Sequence, residues 1–466
     1  MNLLNKPVSN SNNIDSKKNL FALCLSSLTV CIGFGVIIPF FPLYADEILF
    51  EFSIFNIPVG IAFQIGVTTS AFMFMRFLLA PSFGSLSDSK GRKPIILVGM
   101  TVYAFLLVGY SFANDLLSLI FLRILQGMAS AAVWPVGEAL IVDTSSKETT
   151  GRNLGYYMLS MQAGMAAGPF IGAIFYSGLN AMADLTPIMV YRLTFISQGV
   201  MGIAATLIVA LLVKDPNHSE EIPIISYFGT AIKDMTVKAI NSPKYIIQLF
   251  KTKTDYRGLN LYTIYCVAVI NGFGNAMVFP IIALFLDDTY LLEPDVIALI
   301  IGVVGILALS GNPFGGILSD KTDRKSVTWI SGVLRGLTYL FIGVNWGLLT
   351  VIIMFATQRF LWSIFQPSFR AMQSDLVPQE VRGKEFGIVQ AFFNLGSTIG
   401  PIIGGIVYDA FLNVQYNIGG ISYFGVGITF ALTGVLSIIG SILLLLFINT
   451  KDLQIEPKLA IVDNEK

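Results

Sequence analysis

The sequence predicts an all-α integral membrane protein with twelve transmembrane helices in two pseudo-symmetric six-helix bundles. Three observations support this fold class. The chain of 466 residues is 54% hydrophobic but only 12% charged, with a mean hydropathy of +0.73, whereas soluble domains carry about 25% charged residues. Twelve apolar stretches are long enough to cross a bilayer. The residues of these stretches also repeat between the first and second half of the chain.

Each apolar stretch has roughly the 18 to 25 residues that a helix needs to span the hydrocarbon core. Because backbone groups cannot stay unpaired in lipid, stretches this long and apolar are predicted to be helices. A polar tail (1–18) precedes them, a polar linker (214–258) follows the sixth, and a polar tail (450–466) ends the chain. The predicted bundles therefore cover 19–213 and 259–449. The twelve spans are 19–44, 60–83, 94–113, 116–142, 153–178, 188–213, 259–286, 296–318, 326–346, 348–374, 385–409 and 419–449.

The linker is far longer than any other predicted connection, and its apolar residues recur at roughly helical spacing with lysines between them. A basic amphipathic helix of this kind would lie on the surface of the cytoplasmic leaflet. A solvated linker with chance periodicity is the alternative. The apolar positions are Ile225, Phe228, Ile232, Met235 and Ile240.

Lysine and arginine are distributed unequally between the two sides of the predicted bundles. Of the 29 basic residues, 23 lie in one alternating set of loops and tails, and none lies in the other set. The other set carries acidic residues such as Asp46, Glu47, Asp287 and Asp288. Loops rich in lysine and arginine stay in the cytoplasm, so both termini are predicted to be cytoplasmic. The remaining six basic residues lie within predicted spans: Arg76, Arg123, Arg192, Arg335, Arg359 and Arg370.

The two halves of the chain repeat each other at an offset of 232 residues. A duplicated six-span unit is typical of secondary transporters, which bind their substrate near the midplane between the halves. The repeat therefore predicts a transport cavity between two related bundles. The corresponding residues include Pro81 and Pro313, Asp88 and Asp320, Arg92 and Arg324, Gly164 and Gly396, and Pro169 and Pro401.

Composition and motifs argue against several other functions. The net charge is zero, so bulk electrostatics do not indicate a nucleic acid partner. The three cysteines show neither disulfide nor zinc spacing, and the single histidine, His218, lies in the polar linker. No phosphate-binding loop of the Walker type occurs. These features disfavour an enzyme or a nucleotide-driven pump, and no metal or other cofactor is expected.

Three motifs resemble those of the major facilitator superfamily. The segment 84–94 (GSLSDSKGRKP) resembles the family's loop signature between its second and third helices. Residues 119–127 are similar to its fourth-helix motif, and the pattern GxxxGPxxG at 164–172 resembles its fifth-helix antiporter motif. The resemblance covers nearly the whole chain. It implies the twelve-helix branch of the family whose members exchange drugs for protons.

The first motif implies a charge network that gates the transporter. By this resemblance, an arginine bridges two carboxylates on the cytoplasmic side, stabilises the outward-facing state and releases when the cavity opens inward. A purely topological role for these charges is the alternative. The predicted gating residues are Asp88, Arg92 and Asp143 in the first half and Asp320, Arg324 and Asp375 in the second.

Glycine and proline in the fifth and eleventh spans permit close helix packing and a local bend. They are therefore expected to act in hinges and packing, and not as ligand contacts. These residues are Gly164, Gly168, Pro169, Gly172, Gly396, Gly400, Pro401 and Gly404.

Polar side chains recur along one side of the fourth and tenth spans at helical spacing. Polar and charged residues inside a membrane are costly and often mark a transport path. The family resemblance implies that the first, fourth, seventh and tenth helices line a central cavity, and hydrogen bonding between helices is the alternative. The predicted cavity residues are Arg123, Gln126, Ser130, Trp134, Tyr262, Asn271, Asn275, Arg359, Trp362, Ser363, Gln366 and Arg370.

Glu138 is the only carboxylate well inside a predicted span. Proton coupling needs a group that alternates between charged and neutral forms. We expect Glu138 to carry the coupling proton, with Arg370, its counterpart at the 232-residue offset, as an exchangeable partner. A permanent salt bridge between the two is the alternative. The excess of arginine over glutamate inside the spans favours an anionic substrate group over a lipophilic cation, and Arg335 is expected to lie outside the cavity.

Together these features predict a secondary active transporter that works by alternating access, as a proton-coupled exporter of amphiphilic compounds or drugs. The alternative is a facilitator or proton symporter that imports a small metabolite, either an organic anion or a sugar. The expected partners are the small-molecule substrate, protons and the lipid bilayer, without nucleic acid. A monomer in the plasma membrane is the expected functional unit.

Overall fold

The computed structural model describes residues 10–54, 57–146, 149–182, 185–213, 258–377 and 382–449. Eleven helical segments in these ranges are long and apolar enough to cross a membrane. A twelfth helix of 19 residues, Arg324–Ile342, is less apolar because it carries three basic residues. The predicted all-α class with twelve transmembrane helices is confirmed.

The first half contains six helices, and the second half contains eight helical segments that form six membrane spans. The helices of the first half are α1 (Asn10–Ile48), α2 (Ile61–Lys90), α3 (Arg92–Tyr110), α4 (Leu116–Thr144), α5 (Thr150–Met182) and α6 (Pro187–Leu212). Those of the second half are α7 (Leu259–Val278), α8 (Ile281–Tyr290), α9 (Pro294–Leu309), α10 (Gly311–Lys321), α11 (Arg324–Ile342), α12 (Leu348–Asp375), α13 (Arg382–Phe411) and α14 (Gly427–Phe447).

Two predicted spans are interrupted helices. The seventh span is divided between α7 and α8 at Pro280, and the eighth is divided between α9 and α10 at Ser310. Proline lacks the N–H of the helical ladder, and its ring clashes with the carbonyl group four residues earlier. Pro280 and Pro313 lie at these breaks, whereas Pro81, the counterpart of Pro313, lies inside the uninterrupted helix α2. Pro169 and Pro401 likewise lie inside the uninterrupted helices α5 and α13.

Two short β-hairpins, which the sequence analysis does not predict, connect membrane helices. Strands β1 (Phe52–Ile54) and β2 (Ile57–Val59) pair antiparallel between α1 and α2. Strands β3 (Gln415–Ile418) and β4 (Ile421–Phe424) pair in the same way between α13 and α14. Gly419 and Gly420 have φ angles of 59° and 86°, which suit the two-residue turn of β3 and β4 because glycine accepts positive φ without strain.

The two ends of the molecule differ in charge. We call the end with the α2–α3 and α10–α11 turns the basic end, and the end with the two hairpins the acidic end. At the acidic end one apolar cluster joins residues of both halves, including Phe40, Tyr44, Phe285, Ile301 and Tyr408. At the basic end the apolar residues form two separate clusters, one in each half. The halves are therefore sealed together at the acidic end and part towards the basic end.

Backbone contacts between the halves run along two helix pairs, α2 with α13 and α5 with α9. A Cβ atom at Gly66 would collide with the carbonyl oxygen of Pro401, and one at Gly302 would lie 2.9 Å from the amide nitrogen of Phe170. Both contacts lie in the halves of these helices nearer the acidic end. They fix how closely the two bundles approach there.

Some predictions concern residues outside the described ranges. These are the surface helix of the linker, the first nine residues of the N-terminal tail and the C-terminal tail. The rest of the predicted N-terminal tail belongs to α1, which begins at Asn10 and not at the predicted span start at residue 19.

Candidate functional site

A charge network joins the ends of α2, α3 and α4 at the basic end. Arg92 Nη1 lies 2.6 Å from Asp88 Oδ1, and Arg92 Nε donates to Asp143 Oδ2 at 3.0 Å. The guanidinium also donates to Ser87 Oγ at 2.6 Å. The Arg92 side chain is only 15% exposed, so water screens these ion pairs less than it screens pairs on an open surface. The three predicted gating residues of the first half therefore meet.

The corresponding network of the second half is looser. Arg324 Nη1 donates to both carboxylate oxygens of Asp375, at 2.7 and 2.9 Å. Asp320 Oδ1 lies 3.6 Å from Arg324 Nη2, and the Arg324 side chain is 35% exposed. The three residues meet as in the first half, but one ion pair is longer and more water reaches the arginine.

The turns before these two arginines differ for a visible reason. Gly91, before Arg92, has a φ of 97°, a conformation that side chains other than glycine rarely adopt. At the equivalent position Asp323 has a φ of −69°, and its carboxylate accepts the amide N–H of Ser326 at 3.0 Å. Asp323 thus caps α11, and the second half does not need the glycine.

A lysine next to each of these two arginines binds the last helix of its own half. Lys93 Nζ donates to the carbonyl oxygen of Ala210, near the end of α6, at 2.9 Å. Lys325 Nζ donates to the carbonyl oxygen of Ile448, just after α14, at 2.7 Å. A cation near a helix C-terminus satisfies free carbonyl groups and the helix dipole. The sequence analysis missed this role, although both lysines belong to the repeated motif.

The predicted packing glycines lie where pairs of helices touch through their backbones. A Cβ atom at Gly164 or Gly168 would collide with the carbonyl oxygens of Leu28 or Ile32 on α1. In the second half, Gly396 and Gly400 contact the carbonyl oxygens of Val269 and Phe273 on α7 in the same way. Gly172 and Gly404 extend these contacts by one further turn, against Phe40 and Met277.

Arg123, predicted as a cavity residue, lies in the interior of the first half and is 6% exposed. Its guanidinium carbon lies 3.6 Å from the centre of the Phe41 ring, and Nη1 donates to Gln126 Oε1 at 3.0 Å. Gln126 in turn accepts from Tyr110 and donates to Tyr103. The charge is thus stabilised by a ring face and an amide, and no carboxylate among the described residues forms a salt bridge with it.

The rest of the predicted fourth-span group is also enclosed. Ser130 is fully buried and Trp134 is 6% exposed. The Trp134 indole lines a small cleft within the first half, together with Tyr157, Ser26 and Ser27. The side of α4 from Gln126 to Trp134 therefore packs inside its own bundle.

Arg335 on α11 occupies a comparable position in the second half. It is 2% exposed, and Nη2 donates to Asn271 Oδ1 at 2.6 Å and to Ser437 Oγ at 2.7 Å. Its guanidinium carbon lies 4.4 Å from the centre of the Trp362 ring. Two predicted cavity residues, Asn271 and Trp362, are thus neighbours of a buried arginine that the sequence analysis placed outside the cavity.

The predicted group on α12 forms one polar, half-exposed stripe. Arg359, Ser363, Gln366 and Arg370 follow each other at spacings of three or four residues, and therefore share a side of the helix. Arg370 Nη1 lies 3.9 Å from Met158 Sδ on α5, so this side faces the first half.

The other predicted residues on α7 lie apart from this stripe. The Tyr262 side chain is 55% exposed, and its ring lies edge-on to that of Tyr265. Asn275 Nδ2 donates to the carbonyl oxygen of Asn271, one turn earlier, at 3.1 Å. Its amide thus hydrogen-bonds within its own helix.

Glu138 lies half-buried on α4, six residues before the helix ends at Thr144. Its charge interacts with those of Arg370 and Arg76, more strongly with Arg370. Among the described residues it makes no salt bridge within 4 Å. The carboxylate therefore has two nearby cations, one from each half, and a close contact with neither.

The sequence analysis missed a second buried carboxylate. Glu385, at the start of α13, is fully buried and accepts a hydrogen bond from the hydroxyl of Tyr265. The Tyr265 ring stacks on Phe392 at 4.9 Å. Because Glu385 coincides with the predicted start of a span, it resembles an ordinary boundary residue in the sequence. The described residues contain no group of three or more His, Cys, Asp or Glu that could hold a metal ion.

Comparison with known proteins agrees with this architecture. The family model described as Major Facilitator Superfamily matches residues 23–250 and 264–462. The chain is 25% identical over 430 residues to the quinolone resistance protein NorA of Staphylococcus aureus, covering 88% of this chain and 95% of the relative. It is 24% identical over 407 residues to the multi-drug resistance efflux pump PmrA of Streptococcus pneumoniae, covering 85% and 91%.

A solved structure has the same fold. It is a bacterial homologue of the human lysosomal transporter Spinster, in an inward-facing and occupied conformation. The TM-score is 0.73 at 14% identity, with 94% of this chain and 98% of the other covered. The family match spans both halves and includes the motifs that form the two charge networks. This multi-pass membrane protein is a transporter, not an enzyme, and it belongs to the major facilitator superfamily.

Proposed function

We propose that this protein exports amphiphilic small molecules across the plasma membrane in exchange for protons, by alternating access. The names of its relatives NorA and PmrA, a resistance protein and an efflux pump, support export. The basic end is the cytoplasmic end, because 23 of the 29 lysines and arginines lie in loops and tails on that side. Both termini are then cytoplasmic, and the space between the halves opens to the cytoplasm. The functional unit is a monomer with one such space.

The position of Glu138 is the observation that carries proton coupling. A carboxylate inside a membrane must either find a cation or bind a proton. Glu138 has a cation from its own half, Arg76, and one from the other half, Arg370. When the halves rock, the distance to Arg370 changes while the distance to Arg76 stays nearly the same. Glu138 therefore holds its proton more weakly in one state than in the other.

Proteoliposomes with a pH gradient test both the direction and the coupling. An antiporter accumulates an external amphiphile when the lumen is acidic, because protons leave as the amphiphile enters. A symporter accumulates its substrate only when the outside is acidic. We expect accumulation of norfloxacin and other carboxylate-bearing quinolones in acid-loaded vesicles. Accumulation of these compounds, or of a sugar, under the opposite gradient would instead favour the importer.

Glu138→Gln tests the coupling residue. It keeps the side chain's shape but removes its titration, so we expect gradient-driven accumulation to fall at least about tenfold while gradient-independent exchange persists. Glu293→Gln is the matched control, because Glu293 is an exposed carboxylate at the acidic end. Undiminished accumulation in Glu138→Gln would refute the assignment of Glu138.

A further inference from the structure

The arginines inside the membrane helices fall into two classes. Arg123 and Arg335 are enclosed within their own halves, and rings and amides stabilise their charges. The side chains of Arg76 and Arg359 are partly exposed and make no hydrogen bond or salt bridge with any described residue. None of their nitrogens is among the enclosed, unbonded side-chain atoms of the described chain. Their guanidinium groups therefore reach open space.

Arg359 points towards the other half. It shares its side of α12 with Arg370, because eleven residues correspond to just over three helical turns. Arg370 contacts Met158 of the first half, so Arg359 faces the same space. Within its own half, Arg359 lies near Tyr339 and Arg335.

Arg76 faces the same space from α2. The backbone of Phe72 packs against Gly127 on α4, and Gly66 packs against Pro401 on α13. At about 100° per residue, Arg76 projects between these two packed sides of the helix. Towards the basic end the two halves part, so this direction leads into the opening between them.

The two free arginines lie at similar depth. Arg76 is 14 residues from the end of α2 at Lys90, and Arg359 is 16 residues from the end of α12 at Asp375. At 1.5 Å per residue these distances are about 21 and 24 Å from the basic end. Both therefore lie near the midplane, where transporters of this architecture bind their substrates. Glu138, only six residues from the end of α4, lies closer to the basic end.

We propose that Arg76 and Arg359 bind the anionic group of the transported molecule between the two halves. Neither guanidinium makes a hydrogen bond or a salt bridge among the described residues, although the charge of Arg76 also interacts with that of Glu138. Such cations are costly in a membrane, and one carboxylate-type group placed between them offsets both. The planar guanidinium donates paired N–H groups that match a carboxylate, sulfonate or phosphate. The substrate class is therefore an amphiphile with an apolar body and one anionic group. This inference rests on the proposed transport function and names its substrate class.

Matched probes that differ only in their charged group test the site. Phenylbutyrate, phenylbutyramide and phenylbutyl-trimethylammonium share one apolar body and carry an anion, a neutral amide and a cation. Each is added, up to its solubility limit, to the purified full-length protein, and the melting temperature is recorded. A ligand that binds only the folded state raises this temperature. The naphthylbutyl series repeats the comparison with a larger body.

We expect the carboxylates to raise the melting temperature more than the amides and the ammonium compounds do. Arg76→Gln and Arg359→Gln should each weaken carboxylate binding at least about tenfold, which corresponds to about 1.4 kcal/mol. Arg359→Lys should recover part of it, because the charge remains and the paired donors are lost. Arg152→Gln is the control, since Arg152 is an exposed arginine at the start of α5.

Three results would overturn the anion site. These are no carboxylate stabilisation of the wild-type protein, equal or greater stabilisation by the ammonium compounds, and full carboxylate stabilisation in both glutamine variants. The outcome is separable from that of the proposed function. Carboxylate binding without gradient-driven accumulation would support the anion site and refute proton-coupled export. Gradient-driven accumulation of cations without carboxylate binding would support proton-coupled export and refute the anion site.

Discussion

The carboxylate of Asp409 accepts the backbone N–H of Phe63 at 2.8 Å, and these two residues belong to different halves of the transporter. The other carboxylate oxygen accepts the N–H of Ala62 at 3.1 Å. Asp409 of α13 thus caps the first turn of α2, next to Gly60, where any Cβ atom would collide with the carboxylate. The equivalent residue of the first half, Ser177, carries no charge, so this link lacks a charged counterpart.

We expect Asp409→Ala to loosen the acidic end. The loss of a helix cap costs about 0.5–2 kcal/mol, and here the cap also joins the two halves. Amide hydrogen exchange of Ala62 and Phe63 should therefore become faster, and so should exchange in the acidic-end turn of α13. Asp115→Ala is the control, because Asp115 caps its own helix α4 through Ser118. In Asp115→Ala, faster exchange should be confined to α4. Unchanged exchange of the α2 amides in Asp409→Ala would contradict the link between the halves.

Removing the arginine of the charge network should slow transport more in the first half than in the second. Arg92 contacts Asp88, Asp143 and Ser87 at 2.6 to 3.0 Å, whereas Arg324 has one close carboxylate partner. We expect Arg92→Gln to lower the initial transport rate about tenfold and Arg324→Gln only a few-fold. Initial rates in proteoliposomes at equal protein content measure the difference. Equal losses would mean that the tighter geometry around Arg92 has no consequence for gating.

Adding one methyl group should destabilise the helix contacts made by glycine. Overpacking a filled site costs about 1–3 kcal/mol, so Gly164→Ala and Gly396→Ala should lower the melting temperature. Gly155 and Gly387 lie on the same two helices with no atom within 4 Å of the position a Cβ would take. Alanine at these two positions should be neutral or stabilising, because alanine favours helix more than glycine does. Similar melting temperatures for all four variants would refute the backbone contacts.

Arg335 and Arg359 should respond oppositely in stability and in binding. Arg335→Ala leaves Asn271 and Ser437 without their partner inside the bundle, and an unsatisfied buried polar group costs about 1–3 kcal/mol. We expect a clearly lower melting temperature for this variant. Arg359→Ala removes a side chain without a hydrogen bond among the described residues, so the unliganded protein should keep its melting temperature. Thermal unfolding of both variants without ligand is the measurement. A lower melting temperature for Arg359→Ala than for Arg335→Ala would contradict the division of the arginines into an enclosed and a free class.

Much of the helical architecture follows from the sequence. Apolar length predicts each span, and the repeated motif places Arg92 and Arg324 at equivalent turns. Once the structure is known, the interruption at Pro280 can also be understood from the sequence, since proline removes a helical hydrogen bond. The same rule does not locate breaks by itself, because Pro169 and Pro401 lie in uninterrupted helices. Packing against α1 and α7 holds those two helices together.

The candidate site is less predictable from sequence. Helical spacing puts Arg123, Gln126 and Trp134 on one side of α4 but does not reveal whether that side meets the cavity or the neighbouring helix. In the structure this side of α4 packs against α1, α2 and α3, where the Arg123 guanidinium lies against the rings of Phe41 and Tyr110. The stripe on α12 has the same spacing, and we propose that it faces the opening between the halves. Only the packing of neighbouring helices distinguishes the two cases, and spacing within one helix does not contain that information.

The joined apolar cluster at the acidic end has a pharmacological consequence. With that end outside the cell, as we propose, a blocker added to the medium meets interlocked aromatic rings, Phe40 on Tyr176 and Phe285 on Phe430. In this state the free arginines are reached from the cytoplasm or from the inner leaflet. Inhibitors of this conformation should therefore be membrane-permeant, and impermeant analogues should act only on inverted vesicles.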